Sequence, residues 1–488
     1  MIPIIIAIVY FGFFSIFFGL RARKKMARES GNFFTASGQL GWVAVMCTFT
    51  LAPLGGGHTS SLWQASASMG MGAAWWGIFS GGLMVPIFLL WFGPMFRKLK
   101  VQTFPQALGK VFGPKAKIWN SCVAPAGWLG ITMSELLGSA TVVYCLGGGK
   151  LEFVPCVFIA AILFIVYIWF AGMLQASYMN IINAAMLIGG SFFAVFYLGT
   201  QLPGGYQGVF DTYAAVGEQW RTNLFHISPD IVWGQMVPCI ILCIFSVSSE
   251  HAMYQPMLGA KDENAIRKGA LPGGLINAMA CIPFVIMGVV ATAMPEITGT
   301  NTLLMLPNLA LHYLPPVVVG ILMVALLCAL LSTGAGMVMA ISHVVCDDLI
   351  DPCRKVPAAP KRKLWTSRIV CVIVTLAAAI PALKVEVVIQ LFFWCFSLSL
   401  PIFICYLIGM WWKVSRPAAW INLFASLAVN FWWTFACPSW CPPQFSLSFY
   451  PVFVVTVVLG IVLNLVLPGK KGLLRQIKDQ EMAERLPG

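Results

Sequence analysis

Apolar runs of about 20 residues recur along nearly the whole of this 488-residue chain, and each is long enough to cross a hydrocarbon layer of roughly 30 Å. Inside lipid every backbone N–H and C=O must find a partner within the protein, which leaves helices and closed barrels as the spanning structures. The runs are too long, and too apolar on all faces, for alternating barrel strands. They read as helices, and the chain as an all-α integral membrane protein. Hydrophobic residues make up 59% of it and charged residues 10%, against about 25% charged in soluble domains. The runs predict thirteen helices, over 2–20, 39–67, 71–95, 118–147, 151–171, 177–198, 229–257, 270–293, 315–345, 369–383, 387–411, 417–436 and 447–467. The first lacks a basic n-region and a small-residue cleavage site, so it reads as a retained helix rather than a signal peptide.

A formal charge of +13 would suit a nucleic-acid partner if the charge were clustered on one domain, but here it is sorted by loop. With thirteen crossings and the N-terminus outside, 27 of the 30 Lys and Arg residues fall on the cytoplasmic side, and Lys150, Arg221 and Lys384 fall outside. That asymmetry is the positive-inside rule. It predicts a plasma-membrane protein with a cytoplasmic C-terminus, the lipid bilayer as its surroundings, and no nucleic acid. The fifteen cysteines lie mostly inside helices, where Cys acts as a small apolar residue. Cys437 and Cys441 fall in an expected outer turn, and the short spacing leaves open whether they bond.

Two of the expected helices are interrupted. The first contains Leu51-Ala52-Pro53-Leu54-Gly55-Gly56-Gly57-His58. Proline lacks an N–H and a triple glycine has no side chains to hold a helix, so the segment should break near the bilayer midplane. Small residues also permit tight helix crossings, but a crossing does not account for Pro53. The second interruption is Ser246-Val247-Ser248-Ser249-Glu250-His251, where an acid in lipid is expensive unless it serves a site or reaches the interface. Each break opens a run of five helices. Interrupted segments at corresponding places in two halves point to an inverted repeat with the binding site at the breaks. The expected organisation is an extra helix and basic loop over 1–38, a first five-helix repeat over 39–198, an outer loop over 199–228, a second repeat over 229–411, and two helices with a basic tail over 412–488.

Several stretches resemble the sodium:solute symporter family, which includes sodium-coupled sugar, proline and choline transporters. These are Asn32-Phe33-Phe34-Thr35-Ala36-Ser37-Gly38 with Leu40-Gly41-Trp42, then Phe96-Arg97-Lys98 with Thr103-Phe104-Pro105, then Tyr254-Gln255 and Ala260-Lys261-Asp262. The most specific is Ala329-Leu330-Leu331-Ser332-Thr333-Gly334, running on to Ser342 and Asp347-Asp348. The similarity covers roughly 30–410. It implies a leucine-transporter-like core of 5+5 inverted repeats, and sodium held by the carbonyl of Ala329, the hydroxyls of Ser332 and Thr333, and carbonyls near Thr50 and Pro53. A neutral set of carbonyl and hydroxyl oxygens suits a small hard cation. The alternative for the two hydroxyls is back-bonding within their own helix. The chain departs from the family's pattern at Asn180 and Ala335, where many members carry Asp, at Gln255-Pro256 in place of Gln-Arg, and at Pro53 and Glu250, which stand where the choline branch has cage aromatics.

The cavity lining is expected to include Pro53, Gly55, Gly56, His58, Trp128, Glu135, Ser249, Glu250 and His251, and its two acids favour a cationic or zwitterionic solute. The reading is a sodium-coupled symporter of a small polar organic solute working by alternating access. A proton-coupled symporter and a transport-inactive sensor on the same scaffold are the alternatives. Neither a His-Glu-x-x-His motif nor a nucleophile arrangement points to an enzyme, and nothing in the sequence marks an obligatory protein partner.

Overall fold

Lipid-length helices make up most of the chain because the apolar residues leave no other way to satisfy its backbone. The computed structural model describes residues 2–28, 33–34, 38–169, 172–299, 301–355, 359–385, 388–437, 439–442 and 445–485. In chain order the helices are α1 (Ile2–Arg28), α2 (Trp42–Leu51), α3 (Gly56–Met69), α4 (74–98), α5 (Phe104–Phe112), α6 (Pro114–Leu146), α7 (Phe153–Ile168), α8 (Gly172–Gln201), α9 (Gly205–Ala215) and α10 (229–245). There follow α11 (His251–Gly259), α12 (Glu263–Ala293), α13 (Met305–Tyr313), α14 (Pro316–Val344), α15 (Pro360–Ala382), α16 (Val388–Trp411), α17 (Arg416–Ala436), α18 (Phe449–Val466) and α19 (Leu473–Arg485). A two-residue antiparallel pair joins Lys413–Val414 to Lys470–Lys471. Every described cysteine is a free thiol.

Ten described stretches are long and apolar enough to cross a membrane, which is fewer than the thirteen expected. The break leaves α2 with only 10 residues, α7 has only 16, and α17 is not among the ten. The outer loops expected over 199–228 and 294–314 hold α9 and α13, and the tail holds α19. These short helices carry no lipid-length run, so hydropathy alone does not reveal them.

Burial sorts the helices. The most apolar stretch of α14 is 89% buried inside the protein, whereas that of α1 is 18% buried and turns Ile5, Ile8, Val9 and Phe13 outward. In lipid such side chains need no protein cover, so α14 is the central post and α1 a peripheral helix. Around α14 stand α6, α7 and α8. A second group joins the broken α2 and α3 to α12. Their contact depends on Gly288 of α12, where a Cβ would lie 2.0 Å from Ser66 Oγ and 2.8 Å from Trp63 Cα. Without a side chain there, the two helices approach backbone to backbone.

Polar contacts lace the face that carries the basic loops. Asp348 accepts hydrogen bonds from Thr103 Oγ1 (2.5 Å) and Gln106 Nε2 (2.8 Å) and pairs with Lys117 at 3.0 Å. Arg97 donates to the carbonyls of Met257 and Ala260 at the end of α11. Leu40 exchanges backbone hydrogen bonds with Gly259 and Lys261. The motif pieces that lie far apart in the sequence therefore meet at one end of the molecule.

Candidate functional site

The first break releases carbonyls at mid-helix. α2 ends at Leu51, residues 52–55 form a turn, and α3 restarts at Gly56 after Gly55 in extended conformation. Thr333, at the middle of α14, donates its hydroxyl to Leu51 O at 3.0 Å and Ala52 O at 3.1 Å. One hydroxyl proton cannot saturate two carbonyls, so oxygen lone pairs converge at this point. One residue earlier the Thr50 carbonyl is occupied by Asn277 Nδ2 at 2.7 Å, and the Thr50 hydroxyl donates to Met46 O and Gly273 O.

The second break is a short 3₁₀ turn at Val247–Ser249, then extended Glu250, then α11. The two breaks face each other across a small cavity. Pro53, Gly55 and His58 line it from the first break, Glu135 and Ile131 from α6, and Val247, Glu250 and Met253 from the second. Trp76, Ser80 and Met84 of α4, Cys243, Thr333, Met337 and Phe396 complete the wall. Glu250 is 2% exposed and its Oε1 has no hydrogen-bond partner among the described residues. The Glu135 carboxylate lies against Gly55 so closely that a Cβ there would sit 2.1 Å from Oε1. His58 lies 3.5 Å from Ser80 Oγ and 3.8 Å from Cys281 Sγ.

The structure separates the expected site residues. Pro53, Gly55, His58, Glu135 and Glu250 share the cavity wall, and Gly56 opens α3 beside it. Trp128 is buried in α6 away from the wall, Ser249 turns its hydroxyl to Ser246 O at 2.7 Å, and His251 points to His343 Nδ1 at 2.8 Å. Among the expected ion ligands, Thr333 reaches the break, Ala329 is buried one turn before it on α14, and Ser332 lines a small neighbouring space with Thr48, Asn180 and Gln255. Pro53 faces the solute cavity, and the carbonyls nearest Thr333 are those of Leu51 and Ala52. Sequence reasoning passed over these two because a backbone oxygen has no residue type to mark it. It also passed over Asn277, whose amide within an apolar helix was a readable signal.

Two helices broken along their course, with hydroxyl and carbonyl oxygens meeting at one break and a carboxylate at the other, fit a membrane carrier of the broken-helix class. The family model for the sodium:solute symporter family matches residues 33–420. The chain is 22% identical to sodium/glucose cotransporter 1 of Oryctolagus cuniculus, covering 88% of this chain and 74% of that protein. It is also 22% identical to sodium/myo-inositol cotransporter 2 of Rattus norvegicus, covering 84% of this chain and 66% of that protein. Among solved structures it resembles a substrate-bound, outward-open Na⁺-coupled sialic acid symporter, with a TM-score of 0.77 at 17% identity over 96% of this chain and 99% of that one. It also resembles a nucleobase-cation-symport-1 family transporter in a closed conformation, with a TM-score of 0.58 at 12% identity over 89% and 93%. The fold is thus leucine-transporter-like. The chain belongs to the sodium:solute symporter family, and its class of activity is sodium-coupled symport.

Proposed function

We propose that the protein moves a small polar organic solute together with sodium, with the ion seated between Thr333 and the carbonyls of Leu51 and Ala52 and the solute in the cavity between the breaks. The observation that carries this reading is the Thr333 hydroxyl, which spans from the central post to two freed carbonyls of the broken helix. Ala329 O and Ser332 Oγ complete the oxygen set, and the carbonyls of Thr50 and Pro53 border it. An all-oxygen site without formal charge binds weakly enough to release its ion, as transport requires. Sodium there ties the broken helix to α14, so its presence biases which side is open, to the extent that it binds the two states unequally.

The repeats in this reading are 39–198 and 229–411, flanked by 1–38, the loop 199–228 and the C-terminal segment 412–488. Thirteen crossings place the N-terminus outside and the C-terminus in the cytoplasm of the plasma membrane, in line with the sorting of Lys and Arg. An impermeant thiol reagent should label a single cysteine placed near residue 215 from outside, and labelling from the cytoplasmic side alone reverses the topology.

Sodium binding to the purified protein tests the ion site. Losing one ligand costs about 1–1.5 kcal/mol, so Thr333→Ala should raise the dissociation constant roughly tenfold, while Thr333→Ser keeps the hydroxyl and stays near the parent value. Unchanged sodium affinity in Thr333→Ala and Ser332→Ala together removes the site. Full solute uptake in sodium-free buffer under a proton gradient identifies a proton-coupled carrier instead.

A further inference from the structure

The two half-helices that begin at the breaks each direct an N-terminus toward the cavity, and an N-terminus carries partial positive charge. In a carrier of anionic or zwitterionic solutes those ends are available to the solute's carboxylate. Here an acid of the chain itself stands beside each, though neither side chain caps the helix. Glu135 of α6 lies against Gly55 at the start of α3, and Glu250 is the residue from which α11 starts. No Lys or Arg lines the cavity among the described residues. His58 makes no ion pair with Glu250, and Glu250 makes none with any described residue. The rest of the wall is largely apolar, with Trp76, Phe396, Met84, Met253 and Met337. A buried carboxylate without a partner is costly unless a counter-charge arrives, and in this cavity the solute is what can bring it.

We infer that the solute is an organic cation: a small protonated amine whose ammonium group donates to the Glu250 carboxylate while its apolar body packs on the aromatic and methionine side chains. The assignment rests on the reading of this cavity as the solute site of a symporter. A zwitterion would bring a further carboxylate to a cavity that already holds two acids and, among the described residues, no Lys or Arg. A polyol would leave the Glu250 charge unpaired and cover the methionines with hydroxyls. The thioether and aromatic surfaces favour a cation with methyl or methylene groups around its nitrogen.

Titration calorimetry on the purified full chain in sodium chloride tests this with isobutylamine at pH 7.5, where it is protonated, isobutanol as its uncharged match, and glucose and myo-inositol as polyols. Isobutylamine should bind, and isobutanol and the polyols should not. Glu250→Gln should weaken amine binding by about thirtyfold or more, and Glu250→Asp should restore part of it. Sodium binding, measured separately, should be the same in Glu250→Gln as in the parent, which also reports that the variant is folded. If Glu250→Gln does not fold, the parent's preference for amine over alcohol decides the matter alone. Binding of isobutanol or a polyol as tight as that of the amine, absence of amine binding, or equal amine affinity in a folded Glu250→Gln overturns the cation assignment. In those cases an intact sodium response leaves the symporter reading standing. Loss of the sodium response in the parent is the separate failure of that reading.

Discussion

Between α2 and α3 the carbonyls are met largely from other helices: Leu51 and Ala52 by Thr333 of α14 and Thr50 by Asn277 of α12, with Leu51 O also accepting from Leu54 N at 2.9 Å within the turn. Between α10 and α11 the chain closes on itself. Ser249 Oγ donates to Ser246 O, Glu250 N to Val247 O at 3.0 Å, and Tyr254 Oη to Ser248 O at 2.6 Å. The first break therefore has its backbone oxygens held by tertiary partners, and any movement of α14 or α12 changes what those oxygens see. The second break carries its own backbone closure, and what it leaves without partners among the described residues are side-chain atoms: Glu250 Oε1, the Ser246 and Ser248 hydroxyls and His251 Nδ1. This division fits the ion and the solute as proposed above. An ion that must report the relative position of two helix groups belongs where the ligands come from both. A solute that must be recognised by its charge belongs at a rigid, self-supporting acid.

The comparison breaks most sharply at Gly55, where the two regions touch through Glu135. A methyl group in Gly55→Ala would collide with the Glu135 carboxylate and push it toward Glu250. Overpacking of this kind costs about 1–3 kcal/mol, or roughly 5- to 150-fold in affinity. Solute binding should fall by that factor while sodium binding changes little. A parallel loss of both would mean that the two breaks act as one site.

An effect of the same order is expected from Asn277→Ala. It strips the Thr50 carbonyl of its partner, and an unmet buried acceptor costs about 1–3 kcal/mol. Because the first break depends on outside support, sodium affinity should drop along with stability. Denaturation midpoints and sodium titrations on the same preparation check both, and lower stability with unchanged sodium affinity would uncouple Asn277 from the ion site.

The smallest effect belongs to Tyr254→Phe, which removes one hydrogen bond of the second break. The remaining contacts are local, so stability should fall by about 1 kcal/mol with sodium affinity unchanged. A shift in the sodium dissociation constant of tenfold or more in this variant would contradict the self-contained second break.

Much of this architecture was legible in the chain. The length of the apolar runs dictates helices, Pro53 with Gly55–Gly57 dictates the first break, and the cluster Ser246–His251 the second, because these are consequences of local backbone chemistry. Glu135 and Glu250 stood out as acids in lipid-facing sequence, and both line the cavity. Trp128, Ser249 and His251 sat at equally suggestive positions, yet the structure points them elsewhere, since one residue's shift along a helix rotates its side chain by about 100°.

Composition and order alone decided that the chain lives in a membrane, where most of its lipid-length helices lie and where two of them fail. They did not decide which oxygens meet. That Thr333 faces the carbonyls of Leu51 and Ala52, that Asn277 takes Thr50, and that Asp348 gathers Thr103, Gln106 and Lys117 all follow from how helices hundreds of residues apart in sequence pack against one another. Hydropathy is a property of each segment and can be read locally. A binding site is a property of the distances between segments, and those are set by the packing of close helix faces such as Gly288 against Trp63 and Ser66.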